Sequence, residues 1–185
     1  MTRLAILRYP DERLHTVAQP VTEVNDDIHR LAADMAQTMY AGGGIGLAAT
    51  QVDVHLRVIV VDVEKKRDGL LTLINPQIIK AGGRSDFEEG CLSVPGIHEK
   101  VKRAGWIRVR ALDLNGKPFE LSADGWLAVC IQHEIDHLQG LVFVEYLSLA
   151  QQVRINQTLA APRTRHFPQD KKNRLAGQRN AKSHR

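Results

Sequence analysis

The sequence predicts an α+β protein with antiparallel sheets, and three observations carry that prediction. Apolar residues recur at helical spacing towards both ends of the chain. The middle alternates apolar and polar with period two and is punctuated by turn residues. One apolar stretch, Trp126-Leu127-Ala128-Val129-Cys130-Ile131, runs straight into a polar motif instead of a turn. At 185 residues the chain is long enough for one domain with a real core.

The elements follow in order. Pro10-Asp-Glu-Arg-Leu14 reads as a short helical turn. Asn25 is a good N-cap, and Asp26 and Asp27 suit the first turn of a helix. Ile28, Leu31, Met35 and Met39 repeat at helical spacing up to Gly42-Gly43-Gly44, a stripe read as packing. Arg57 to Val63 reads as a strand; Leu70 to Ile74 reads as a second, stopped by Asn75-Pro76. Trp106 to Leu114 alternates cleanly, and Asn115-Gly116 turns it back into Phe119-Glu-Leu121. A helix starts near Asp124, and its apolar opening is expected to be buried. A last amphipathic helix starts near Ser148, with Leu149, Val153, Ile155 and Leu159 as its apolar positions.

Charge divides the chain. Residues 162–185 hold eight Lys/Arg against one acid, a net of +7; residues 1–161 hold 17 against 20, a net of −3. The expected organisation is one domain over 1–161 and a basic, flexible tail over 162–185 that solubilises the chain or meets an anionic partner. No apolar run is long enough to span a membrane, and the N-terminus lacks the pattern of a secretion signal. Two cysteines with unlike settings do not suggest a disulfide framework, so a reducing cytoplasm is the expected location.

The chemistry is concentrated in Gln132-His133-Glu134-Ile135-Asp136-His137-Leu138-Gln139-Gly140. On a helix His133 and His137 share a face and can address one metal ion, with Glu134 placed as a general base. A buried helix carrying two histidines, a Glu and an Asp is costly unless these groups are paired or bound to metal. A catalytic site expects a third protein ligand and an open position. Position 143, where one protease extension places a histidine, is Phe143, and Glu145 is too close to His137 to serve well. Cys130 lies on the same stripe, but the helix rises about 10 Å from it to His137, so it is read as a pocket wall. That leaves Cys91, in Glu88-Glu89-Gly90-Cys91-Leu92-Ser93, either as a ligand or as an inert buried thiol. The acids and glycine just before it argue against an ordinary core position.

Three motifs then occur in order: Gly44-Ile45-Gly46-Leu47-Ala48-Ala49-Thr50-Gln51, Glu89-Gly90-Cys91-Leu92-Ser93, and Gln132 to Leu138. From about Leu4 to Leu149 the chain resembles the bacterial type of peptide deformylase. The resemblance implies small sheets wrapped around one central helix that carries the two histidines. It implies a groove lined by Ile45 and Gly46, and an amide donor from Gln51 to the reacting carbonyl oxygen. It implies a thiolate ligand from Cys91, with the Leu92 N–H as second oxyanion donor and Gly90 permitting close approach. The triple glycine at 42–44 departs from the family's usual lead-in. Trp126 and Cys130, with Phe87 and Ile45 opposite, are expected to wall a pocket for a methionine side chain. Glu89 and Asp136 are both candidates to orient the histidines, and His98 is read as a surface histidine.

The expected reaction removes the formyl group from N-formylmethionyl nascent peptides and releases formate. Cys91, His133 and His137 would hold one divalent ion, and Glu134 would move the proton of the attacking water. The donor set suits zinc, ferrous iron, nickel or cobalt; the resemblance favours ferrous iron. The residues alone reach only metal-assisted hydrolysis of an amide or ester. Two other readings use the same features: an endopeptidase, which lacks a downstream third ligand, and a structural-metal RNA-binding protein, which lacks a fourth. The basic tail raises a further expectation, attachment to the ribosome surface.

Overall fold

Helix α1 (Asp26–Ala41) opens where the Asn25 side chain accepts hydrogen bonds from the Asp27 and Ile28 N–H groups. The computed structural model describes residues 2–160; the basic segment 162–185 lies outside them, and the expected tail with it. The chain continues through β1 (Gly46–Ala48), β2 (Val58–Val61), β3 (Leu71–Gly82), β4 (Glu88–Cys91), β5 (Val94–Lys100), β6 (Trp106–Leu112) and β7 (Pro118–Asp124). Helices α2 (Gly125–Leu138) and α3 (Leu149–Ala160) complete it. The named strands pair antiparallel, in a five-stranded sheet ordered β1-β2-β3-β6-β7 and a two-stranded sheet β4-β5. Among the described residues no helix is long and apolar enough to cross a membrane.

Side-chain alternation explains the layers. On β2, Ile59 and Val61 pack with Ala128, Ile131, Ile135 and Leu138 of α2, while Val58 and Val60 pack with Ile28, Met35 and Met39 of α1. A strand covered on both faces reads as an unbroken apolar run, as Val58-Ile-Val-Val61 does. β6 is covered on one face only, so Ile107, Val109 and Ala111 are buried and Trp106, Arg108 and Arg110 are exposed.

Four expectations need correction. Asn75-Pro76 does not stop a strand: β3 runs through it with a register shift between Ile74 and Gln77. Asn75 takes a positive φ of 52°, and its side chain exchanges two 2.8 Å hydrogen bonds with the Val21 backbone, which holds the bulge. The β6–β7 turn is not a two-residue Asn-Gly hairpin. Gly116 N–H closes on Asp113 O, Gly116 alone has positive φ, and Asp113 Oδ1 accepts from Asn115 and Lys117 N–H. That is the three-residue loop built on a type I turn. Trp126 is 46% exposed in the first turn of α2, although the rest of that apolar run is covered.

The fourth correction concerns α3. Ile155 is 2% exposed and Leu159 packs beside it, but Leu149 is 80% and Val153 55% exposed. At 100° per residue the pair 149/153 lies about 120° around the helix from 155/159. Polar contacts help decide which face turns inward: Gln151 and Arg154 both donate to Glu99 on β5, at 3.2 and 2.8 Å.

Candidate metal centre

The motif helix α2 packs against β1, β2 and β7, and its last two turns present His133, Glu134 and His137, all buried. Two contacts fix its position. The Thr50 hydroxyl donates to His137 O at 3.0 Å, and the Gln132 amide exchanges two 3.0 Å hydrogen bonds with the backbone of Ala104. From the other side, the β4–β5 turn brings in Cys91. The ligand atoms of Cys91, His133 and His137 lie within 4.8 Å of one another, and Cys91 Sγ stands 3.2 Å from His137 Nε2. Cys130 is not part of that trio; its thiol donates to Ile45 O at 3.4 Å.

The donor set fits a divalent cation. His133 Nδ1 lies 2.8 Å from Glu89 Oε2, which leaves Nε2 for the trio. Burial and the positive charges of His133 and Arg103 press the His137 pKa well down, so it stays neutral with a lone pair to offer. Burial would lower His133 too, but its hydrogen bonds to Cys91 and Glu89 pull it well up. The cluster thus draws positive charge to its centre.

Glu89 is itself held by Arg103, which donates from Nε at 2.7 Å and from Nη2 at 3.0 Å, and whose remaining nitrogen pairs with Asp136. Burial opposes charge on both Glu89 and Arg103. The hydrogen bonds between them, and that of His133 to Glu89, outweigh it, so Glu89 is lowered and Arg103 raised. Of the two acids weighed from sequence, Glu89 touches a histidine directly and Asp136 acts through Arg103. Arg103 was missed because Lys100, Lys102 and Arg103 look alike in sequence; only the fold buries one of them.

Glu134 is uncommitted, as is the Nδ1 of His137. Glu134 Oε2 is buried without a hydrogen-bond partner among the described residues, and burial pushes the Glu134 pKa up to about 7. Gly46 explains how a strand passes so close: a Cβ there would lie 2.3 Å from Glu134 Oε1 and 2.7 Å from Cys130 Sγ. A Cβ at Gly90 would meet the His98 ring at 2.7 Å. The Gln51 side chain accepts from Ala48 N–H at 2.8 Å and donates to Ser93 Oγ at 3.1 Å and Cys91 Sγ at 3.4 Å. Ser93 stands in the Cys91 motif, but the sequence alone assigned it no role.

One cavity of about 540 Å³ is lined by Ile45, Gly46, Gln51, Gly90, Cys91, Leu92, Trp126, Cys130, His133 and Glu134, with His98 at its edge. Phe87 is not in that lining. Its ring packs on Trp126, with centroids 4.5 Å apart and planes at 30°, so it backs the Trp126 wall instead of facing it.

A Cys-His-His trio, a buried carboxylate without a partner and an amide donor around one cavity define a metal-dependent hydrolase of amide-type bonds. Residues 3–153 match the family model described as polypeptide deformylase. The chain is 61% identical over 155 residues to peptide deformylase 2 of Nitrosomonas europaea, covering 84% of each. It is 61% identical over 156 residues to peptide deformylase 1 of Burkholderia multivorans, covering 84% of this chain and 86% of the relative. A solved peptide deformylase from Legionella pneumophila superposes with a TM-score of 0.83 at 44% identity, over 85% of this chain and 94% of that one. The chain belongs to the peptide deformylase family. It is a metal-dependent hydrolase that removes the formyl group from the N-formylmethionine of nascent peptides.

Proposed function

We propose that Cys91, His133 and His137 hold the ion, that Glu134 is the general base and acid, and that Gln51 and the Leu92 N–H stabilise the oxyanion. The observation that carries this reading is the unpartnered, buried Glu134 Oε2 beside the three-ligand cluster. A divalent ion bound there supplies a Lewis acid and lowers the pKa of water. Glu134, poised near neutrality, accepts a proton from the attacking water and returns it to the leaving amine nitrogen. The Gln51 amide exchanges its long contact to Cys91 Sγ for the formyl oxygen, and Ser93 keeps it aimed. Ile45, Gly46, Gly90, Trp126 and Cys130 receive the methionine end of the peptide, with Phe87 bracing Trp126.

We assign ferrous iron as the working metal, with zinc, nickel and cobalt as ions the same donors accept. Residues 1–161 form the catalytic domain, and its work is done in the cytoplasm. The basic segment 162–185 attaches the enzyme to the ribosome surface by charge: a chain ending at Ala161 is expected to bind ribosomes more weakly at low salt. Formate release from a formylated peptide, with metal content measured on the same sample, tests the central reading. Full turnover by a metal-free sample would overturn it.

A further inference from the structure

The cavity has a rim as well as a floor, and the rim carries charge that the reaction does not use. The N-terminal segment crosses the site as an extended span. Leu7 N–H donates to Gln51 O at 2.8 Å and Tyr9 N–H to Ser93 O at 2.9 Å, so the span is tied to both motif loops. Leu7 is buried in the core, while its neighbours Ile6 and Arg8 line the cavity. Arg8 is exposed there and makes no ion pair among the described residues.

The cavity's carboxylates are differently placed. Glu89 is committed to Arg103 and His133, and Glu134 sits at the buried floor. Glu88 also lines the cavity, and its directly opposite residue on β5 is Lys100. Arg8 is the arginine of that lining, and no carboxylate pairs with it among the described residues. A guanidinium in this setting offers a planar fork of donors that suits a carboxylate.

Building on the reading of this cavity as the peptide groove, we propose that Arg8 is a specificity-determining residue, receiving a carboxylate carried by the substrate downstream of formylmethionine. The carboxylate comes from an acidic side chain or from the C-terminus of a short peptide. Its effect is on binding, not on the proton transfers at Glu134.

The test uses the full-length, metal-loaded protein and formyl-Met peptides ending in an amide, with a single Asp or Asn at the second, third or fourth residue. One further peptide carries Asn and a free C-terminal carboxylate. The wild type is expected to favour Asp over Asn in kcat/KM by about twofold to fivefold at one of these positions, the size of an exposed ion pair. The preference should reside in KM and fade as salt is raised. Arg8→Ala should bring the ratio to about one, Arg8→Glu should invert it, and Arg8→Lys should keep much of it. Arg3→Ala, an exposed residue outside the cavity lining, should leave the ratio at its wild-type value. A preference that follows only the free C-terminus assigns the same site to terminal carboxylates. Equal Asp/Asn ratios in the wild type and Arg8→Ala, with formate released from both peptides, overturn the inference alone. No formate from the Asn peptides would bring down the groove reading together with it.

Discussion

Helix α2 has fourteen residues and buries nine of them; α3 has twelve and buries only Ile155. Both read as helices in sequence, and apolar content alone does not explain the contrast. The buried positions of α2 include His133, Glu134 and His137, whereas the exposed positions of α3 include Leu149 and Val153. The difference lies in partners. α2 is surrounded, and its polar side chains meet groups from other segments: His133 meets Glu89, Gln132 meets Ala104 and Asp136 meets Arg103. α3 is packed on one side, so its remaining apolar residues face outward at little cost. Burial thus follows where the neighbours are, and a polar residue goes inside when its partner is already there.

The largest effects should come from the candidate metal centre that α2 and β4 build. Cys91→Ala is expected to lose the metal and with it turnover, while Cys130→Ala keeps the metal and changes substrate fit. Metal analysis of the two purified variants decides this, and metal loss in Cys130→Ala would reverse the assignment. Glu134→Gln should keep fold and metal but lose about 10²–10⁴-fold in kcat, the usual worth of a general base. A variant retaining half the wild-type rate would remove that role.

Next in size is the buried ion network behind the trio. Arg103→Met leaves Glu89 and Asp136 without their cation, at a cost of about 3–5 kcal/mol in chemical denaturation. Should the variant unfold at the wild-type midpoint, the claim that partners keep these groups inside α2's surroundings would not stand.

The smallest effects should separate the two faces of α3. Ile155→Ala should destabilise by about 2–5 kcal/mol, whereas Leu149→Ala should stay within about 0.5 kcal/mol. Equal losses from both would mean that Leu149 is covered in solution, and the contrast with α2 would weaken accordingly.

Much of the site was legible because its chemistry is local. Two histidines four apart with a glutamate between them form one helical face whatever surrounds them, and an asparagine before Asp26-Asp27 caps a helix by its own side chain. The exclusion of Cys130 rested on helical rise, which is equally local, and Cys130 stands outside the trio. The alternation of β6 and the unbroken apolar run of β2 also follow from period and covering layers. What sequence could not supply were relations between distant segments. That Glu89 and not Asp136 touches His133, that Arg103 and not Lys102 is buried between them, and that Phe87 backs Trp126 depend on how β4 and the segment after β5 settle against α2. The same holds for Asn75, whose bulge is held by Val21 from far along the chain, and for α3, whose inward face is set with help from Glu99. Local pattern determines what a segment can become; which of its faces is buried, and beside which charge, is decided only when the other segments supply or withhold the partner.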